Sequence, residues 1–122
     1  MKLITMFYIL NSTLLLLHEI ESAYEKEWEI RKLPGKITGF LFLHIPIILI
    51  IFYGLLEIEK LSKIGLMLGM ILGIGGIFPF LVHKVFVRRK GQFNLLISNA
   101  VIYSNAVCGA ILVCLLVSDY LA

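Results

Sequence analysis

Residues 37–56 read ITGFLFLHIPIILIIFYGLL, a segment that contains no Asp, Glu, Lys or Arg. An α-helix needs about 20 consecutive, mostly apolar residues to cross the hydrocarbon core of a bilayer. The segment therefore predicts a membrane-spanning helix.

Apolar segments of similar length lie on both sides of this one, at residues 3–20, about 64–83 and about 93–118. The connections between them are short and polar, as loops between spans are expected to be. We predict an all-α fold, a four-span transmembrane helical bundle with short loops that forms one integral membrane domain over residues 1–122.

The composition agrees with this fold. Of the 122 residues, 60% are apolar and 16% are charged, and the mean hydropathy is +0.97. A soluble domain is about 45–50% apolar and about 25% charged, so a separate soluble catalytic domain is excluded at this length. The net charge of +3 comes from basic residues between the apolar segments, so we expect lipid partners and no nucleic-acid partner.

Lysine and arginine predict the orientation, because basic residues beside spans stay on the cytoplasmic side. Eight of them lie in the first and third connections, and the opposite side has three. The eight are Lys26, Arg31, Lys32, Lys36, Lys84, Arg88, Arg89 and Lys90. We therefore predict a multi-pass protein of the cell inner membrane with connections one and three in the cytoplasm and both termini outside.

In this orientation the three histidines share one leaflet. His18 lies near the inner end of the first span, His44 is seven residues into the second, and His83 ends the third. Ionisable side chains are costly in lipid, and they usually face the interior of a bundle. We predict a polar functional site where these histidines meet.

Acidic residues of the first helix extend this site. At about 100° per residue, Glu21, Ser22, Glu25 and Glu29 lie within about 60° of the direction of His18. Carboxylates four residues apart repel each other, so such a row favours a cation opposite it. Imidazole and carboxylate groups together suit a divalent zinc, iron or manganese ion.

The predicted metal ligands are His18, Glu21, Glu25, His44 and His83. Residues predicted to hydrogen-bond to these ligands are Ser22, Asn94 and Ser98. As an enzyme, the protein would use the metal to activate water or oxygen against a lipid-like substrate, with Glu21 or Glu25 as ligand or general base.

Other interpretations stay open. Lys84 and Arg88 are four residues apart and could pair with Glu21 and Glu25, which needs no metal. The small-residue face of Gly65, Gly69 and Gly73 predicts a close approach to a neighbouring helix, either inside the subunit or across an oligomer. An ion or proton channel or carrier would need an oligomer, for which this face is the candidate interface. A structural membrane subunit without catalytic activity is the third possibility.

Two segments resemble a known group of proteins. Residues 17–24, LHEIESAY, and residues 43–46, LHIP, are similar to small uncharacterised prokaryotic membrane proteins of the HXXEE type. The resemblance implies a multi-helix integral membrane fold and a site centred on His and Glu, with no assigned reaction.

Overall fold

The computed structural model describes residues 2–24, 35–81 and 96–121. They form the helices α1 (Leu3–Tyr24), α2 (Lys36–Glu59), α3 (Lys63–Phe80) and α4 (Leu96–Leu116), and α4 continues into a π-helical turn (Val117–Leu121). All four helices are long and apolar enough to cross a membrane. The predicted all-α fold with four spans is confirmed, and the chain is a multi-pass membrane protein.

The helices differ from the predicted spans mainly at their ends. Helix α1 continues beyond residue 20 to Tyr24, through a polar segment that the apolar pattern alone did not include. Residues 82–83 and 93–95, which the prediction assigned to the third and fourth spans, lie outside the described residues.

A tight turn joins α2 to α3. The Ser62 hydroxyl accepts a hydrogen bond from the Gly65 backbone N–H at 3.0 Å and donates one to Glu57 Oε2 at 2.8 Å. Ser62 thereby caps the first turn of α3, where backbone N–H groups have no partner within the helix. A Cβ atom at Gly65 would collide with the backbone of Glu57 and Ile58, so the turn requires glycine there.

Four glycines of α3 lie on its interior face. Gly65, Gly69, Gly73 and Gly76 are all buried. A Cβ atom at Gly73 would lie 2.8 Å from Val113 Cγ2 and 3.1 Å from the backbone oxygen of Gly109. The predicted close approach along this face is thus made by the chain's own α2 and α4, and the predicted homo-oligomer stays a prediction.

Helices α1, α3 and α4 meet in a polar layer, defined here as Asn11, Gly73, Gly76, Asn105 and Gly109. Both asparagines are fully buried, and Asn11 Nδ2 donates a hydrogen bond to the backbone oxygen of Leu72 at 2.7 Å. A Cβ atom at Gly76 would collide with Asn11 Oδ1 and lie 2.8 Å from Asn105 Oδ1. The absence of a side chain at Gly76 therefore leaves the space that both amide groups use.

Candidate functional site

Helices α1 and α2 are antiparallel, and polar contacts cross the seam between them at three levels. Thr5 Oγ1 donates to Glu59 Oε2 near one end of the seam. Tyr8 Oη donates to the backbone oxygen of Ile51 at 2.7 Å. Glu19 and His44 meet near the other end. Among the described residues of this seam, Glu19 and His44 are the titratable pair of which both members lie within candidate spans, and this pair is the centre of the candidate site.

The His44 ring is held by its own helix. Nδ1 lies 2.6 Å from the backbone oxygen of Phe40, one turn earlier, and the Phe40 ring stacks on the imidazole with centroids 4.1 Å apart. These contacts aim Nε2 toward α1, where it lies 2.6 Å from Glu19 Oε2. The His44 side chain is 12% exposed and that of Glu19 is 24% exposed.

The geometry sets the proton count of this pair. A carbonyl oxygen only accepts hydrogen bonds, so Nδ1 of His44 must carry a proton and donate it to Phe40. Nε2 and the Glu19 carboxyl group then share one further proton, either as imidazolium and carboxylate or as imidazole and carboxylic acid. In both forms the pair can deliver that proton or take it back, as a general acid–base group does.

The same distance bears on metal binding. Two ligand atoms of a tetrahedral zinc ion, each about 2.0–2.1 Å from the metal, lie about 3.3 Å apart. The separation of 2.6 Å between Nε2 and Oε2 is that of a short charge-assisted hydrogen bond. In this arrangement Glu19 and His44 are hydrogen-bonded to each other.

An apolar crevice of about 430 Å³ adjoins the pair. We call it the His44 crevice; besides Glu19 and His44 it is lined by Leu16, Ile20, Ala23, Phe40, Leu41 and Ile48. Ile20 is 68% exposed and Leu41 is 56% exposed, so the crevice opens on the outer surface of the bundle. In a membrane this surface faces acyl chains.

The predicted site residues lie in different surroundings. His18 is buried in the bundle, 1% exposed. Glu21 lines a separate crevice of about 370 Å³ between α1 and α4, with Ile97 and Val101. His44 faces Glu19 on the α2 side of α1. The structure thus brings His44 to an acid, but to one that the prediction did not include.

Several predicted residues lie outside the described part of the chain. They are Glu25, His83 and Asn94, the side chains of Ser22 and Ser98, and the alternative partners Lys84 and Arg88. Among the residues that are described, no three His, Cys, Asp or Glu side chains form a group that could hold a metal ion. The metal site formed by His18, Glu21, Glu25, His44 and His83 therefore stays a prediction.

Sequence reasoning missed Glu19 because it selected the acids in line with His18. Glu19 is the next residue, about 100° further round the helix, so it is not part of that row. A usable signal is present in the spacing of Leu16, Glu19 and Ala23, which lie three and four residues apart and share one helix face. In the structure that face lines the His44 crevice.

Comparison with known proteins identifies a family without an assigned activity. The model of the family of unknown function DUF6713 matches residues 4–119. No curated protein and no solved structure matches the chain. These comparisons do not support a similarity to HXXEE-type proteins in particular. The expectation that the chain belongs to an uncharacterised family is confirmed. Because the match covers nearly the whole sequence, the chain belongs to family DUF6713.

Proposed function

We propose that this membrane protein binds a lipid with a small, uncharged polar head in the His44 crevice and that Glu19 and His44 serve as its acid–base group. One observation carries the proposal. A proton-sharing pair lies in an otherwise apolar crevice that opens on the outer surface of a four-span bundle. Ionisable groups inside a span are costly, which favours a functional role for this pair.

The depth of the pair favours an uncharged ligand. His44 follows the first residue of α2 by eight residues, or about 12 Å along the helix, and α2 as a whole is about 36 Å long. The hydrocarbon core of a bilayer is about 30 Å thick, so the pair lies inside it. A charged headgroup at that level would lose its hydration, whereas a hydroxyl group with its ester neighbours needs only hydrogen bonds.

Diacylglycerol has this chemistry, and we use it as the probe. Its hydroxyl group would lie at Glu19 and His44, with an acyl chain along Ile20, Leu41 and Ile48. The pair could then accept the hydroxyl proton or return it, as a general acid–base group does. The excess of Lys and Arg in connections one and three further favours a crevice on the cytoplasmic side.

The experiment measures dioleoylglycerol retained by the purified protein in detergent, by native mass spectrometry. We expect Glu19→Gln to lower the occupancy about tenfold, a loss of about 1.4 kcal/mol of binding. Glu21→Gln is the matched control, because this acid is two residues away and lines the other crevice. Loss of lipid in the Glu21 variant with full retention in the Glu19 variant would contradict the proposal.

A crevice-filling variant separates lipid binding from the charge of the pair. Ile48 lines the His44 crevice, and its neighbour Leu49 is 63% exposed on the surface of α2. Ile48→Trp is expected to displace the lipid while leaving Glu19 and His44 in place, and Leu49→Trp is expected to retain it. Equal occupancy in these two variants would count against the crevice as the binding site.

Proton movement across the membrane is a second candidate function. The shared proton of Glu19 and His44 favours it, and so do Tyr8, Asn11 and His18, which are buried along α1. These three residues extend over about 15 Å of the helix. Vesicles that contain the protein and a pH-sensitive dye test it, since Glu19→Gln should abolish a proton flux. No flux in the wild type would eliminate this candidate.

A further inference from the structure

A second crevice lies at the other end of the α1–α2 seam. It has a volume of about 500 Å³ and is lined by Thr5, Ile9, Leu55, Leu56, Glu59 and Lys60; we call it the Glu59 crevice. Between the two crevices, buried Tyr8 spans the seam and donates to the Ile51 backbone at 2.7 Å. The two crevices are thus separate spaces at opposite ends of one helix pair.

Charged groups surround the Glu59 end of this seam. Lys2 Nζ lies 3.7 Å from Glu59 Oε1 and donates a hydrogen bond to the Glu59 backbone oxygen at 2.7 Å. Lys60 Nζ donates to Glu57 Oε1 at 3.1 Å, and the Lys60 side chain is 68% exposed. The Glu59 carboxylate therefore lies near the Lys2 ammonium group. Lys60, the next residue in the sequence, brings a second ammonium group to this end of the seam.

These groups retain hydrogen-bonding capacity. An ammonium group has three donors, and a carboxylate has about four acceptor positions, so the contacts above do not saturate Lys2, Glu59 or Lys60. Glu59 is the last residue of α2, and Thr5 is in the first turn of α1. Both helix ends lie where a spanning helix leaves the hydrocarbon core, at the level of lipid headgroups.

We propose that the Glu59 crevice binds a phospholipid whose headgroup carries both a phosphate and a primary ammonium group, as phosphatidylethanolamine does. The phosphate binds Lys2 and Lys60, the ammonium group binds Glu59, and an acyl chain packs on Ile9, Leu55 and Leu56. A headgroup with negative charge alone would leave the Glu59 carboxylate without a new cation. This site is independent of the proposed function, because it shares no residue with the His44 crevice.

The test uses the full chain in detergent with dioleoylphosphatidylethanolamine and, in parallel, dioleoylphosphatidylglycerol. Native mass spectrometry is expected to show about a tenfold preference of the wild type for the ethanolamine lipid. Glu59→Gln is expected to remove that preference. Leu56→Trp fills the crevice and should lower occupancy about tenfold, while Leu49→Trp, on the same helix and about equally exposed, should not.

The outcomes are decisive in both directions. Equal occupancy in the Leu56 and Leu49 variants, or an unchanged lipid preference in Glu59→Gln, would overturn the proposal. Competition by soluble phosphoethanolamine as strong as that by the lipid would also overturn it, because the acyl contacts would then contribute nothing. Leu56→Trp keeps every charged group in place, so it tests the crevice even if Glu59→Gln does not fold.

Diacylglycerol binding separates this site from the His44 crevice. Glu59→Gln and Leu56→Trp should both retain dioleoylglycerol, because the two crevices share no lining residue. Loss of the ethanolamine lipid with retention of dioleoylglycerol supports two sites. Parallel loss of both lipids in a folded Leu56 variant would overturn the second site.

Discussion

The polar layer and the α1–α2 seam both place polar side chains inside a membrane-spanning bundle, but they differ in access. In the layer, Asn11 and Asn105 are fully buried against glycines of α3 and α4. In the seam, Glu19 and His44 border a crevice that opens on the lipid-facing surface. A buried polar group without access mainly serves packing, whereas one that a lipid can reach is available for chemistry.

The difference begins with side-chain size. Glycines at 73, 76 and 109 let helix backbones approach closely, which is how small residues promote packing in membranes. The part of α2 that faces α1 at the His44 crevice instead carries Phe40, Leu41 and Ile48. These bulky side chains line an open crevice, whereas the glycines of the polar layer lie in close contact with neighbouring helices.

The largest expected effect comes from Gly76→Ala in the polar layer. The added Cβ would meet Asn11 and Asn105 together, so we expect a loss of about 3 kcal/mol of stability, the upper end for overpacking a core. Gly75→Ala is the matched control. Its Cβ would lie 3.9 Å from the nearest atom, Leu15 Cδ2, and its effect should stay within about 0.5 kcal/mol.

Thermal unfolding in detergent measures both glycine variants. Equal stability of the Gly76 and Gly75 variants would mean that the polar layer is not tightly packed. The polar layer and the α1–α2 seam would then not differ in how tightly they are packed.

Asn11→Ala should cost about 1–2 kcal/mol, the range for a polar contact between membrane helices. The variant removes the Asn11 amide, which donates a hydrogen bond to the Leu72 backbone oxygen, and that oxygen stays buried. Thr13→Ala is the control, because that exposed hydroxyl donates to the Ile9 backbone oxygen within its own helix. An Asn11 variant as stable as the Thr13 variant would show that the layer contributes little to packing.

In the seam, Tyr8→Phe should cost about 1 kcal/mol, the usual net value of one hydrogen bond. The ring still packs over Gly54, so both crevices should keep their lipids. Unfolding and lipid occupancy, measured on one preparation, test this. Loss of dioleoylglycerol from the Tyr8 variant would show that the His44 crevice depends on the middle of the seam.

Glu19→Gln should have the smallest effect on stability, within about 1 kcal/mol, because the glutamine amide N–H can still donate a hydrogen bond to His44 Nε2. Its effect on lipid occupancy should nevertheless be the strongest of these four stability variants. Variants of the polar layer would thus lose mainly stability, whereas Glu19→Gln in the seam would lose mainly lipid occupancy. If Glu19→Gln instead caused a large loss of stability with unchanged lipid occupancy, Glu19 would serve packing and not lipid binding.

Much of the architecture follows from the sequence, because apolar length specifies a span directly. The glycine spacing of α3 also correctly indicated a close approach, although only the structure shows that α2 and α4 fill it. The candidate site was less accessible to sequence reasoning. His44 is an evident candidate as a histidine inside a span, but its partner depends on how α1 rotates against α2.

That rotation explains the choice between Glu19 and Glu21. The two acids are two residues apart, so they point about 160° apart around α1. The row of acids in line with His18 favoured Glu21, whereas the packing of α2 against the other side of α1 selects Glu19. Helix rotation depends on contacts between helices, which a single sequence does not specify.

Photo-crosslinking tests lipid binding at the Glu19–His44 pair most directly. Diacylglycerol with a diazirine on one acyl chain is irradiated with the protein in bilayers, and the adducts are located by peptide mass spectrometry. We predict adducts concentrated at residues 16–23 and 40–48 that disappear in Ile48→Trp and persist in Leu49→Trp. Adducts spread evenly over the exposed side chains of α2, including Phe52 and Tyr53 beyond the crevice, in every variant would contradict lipid binding at this pair.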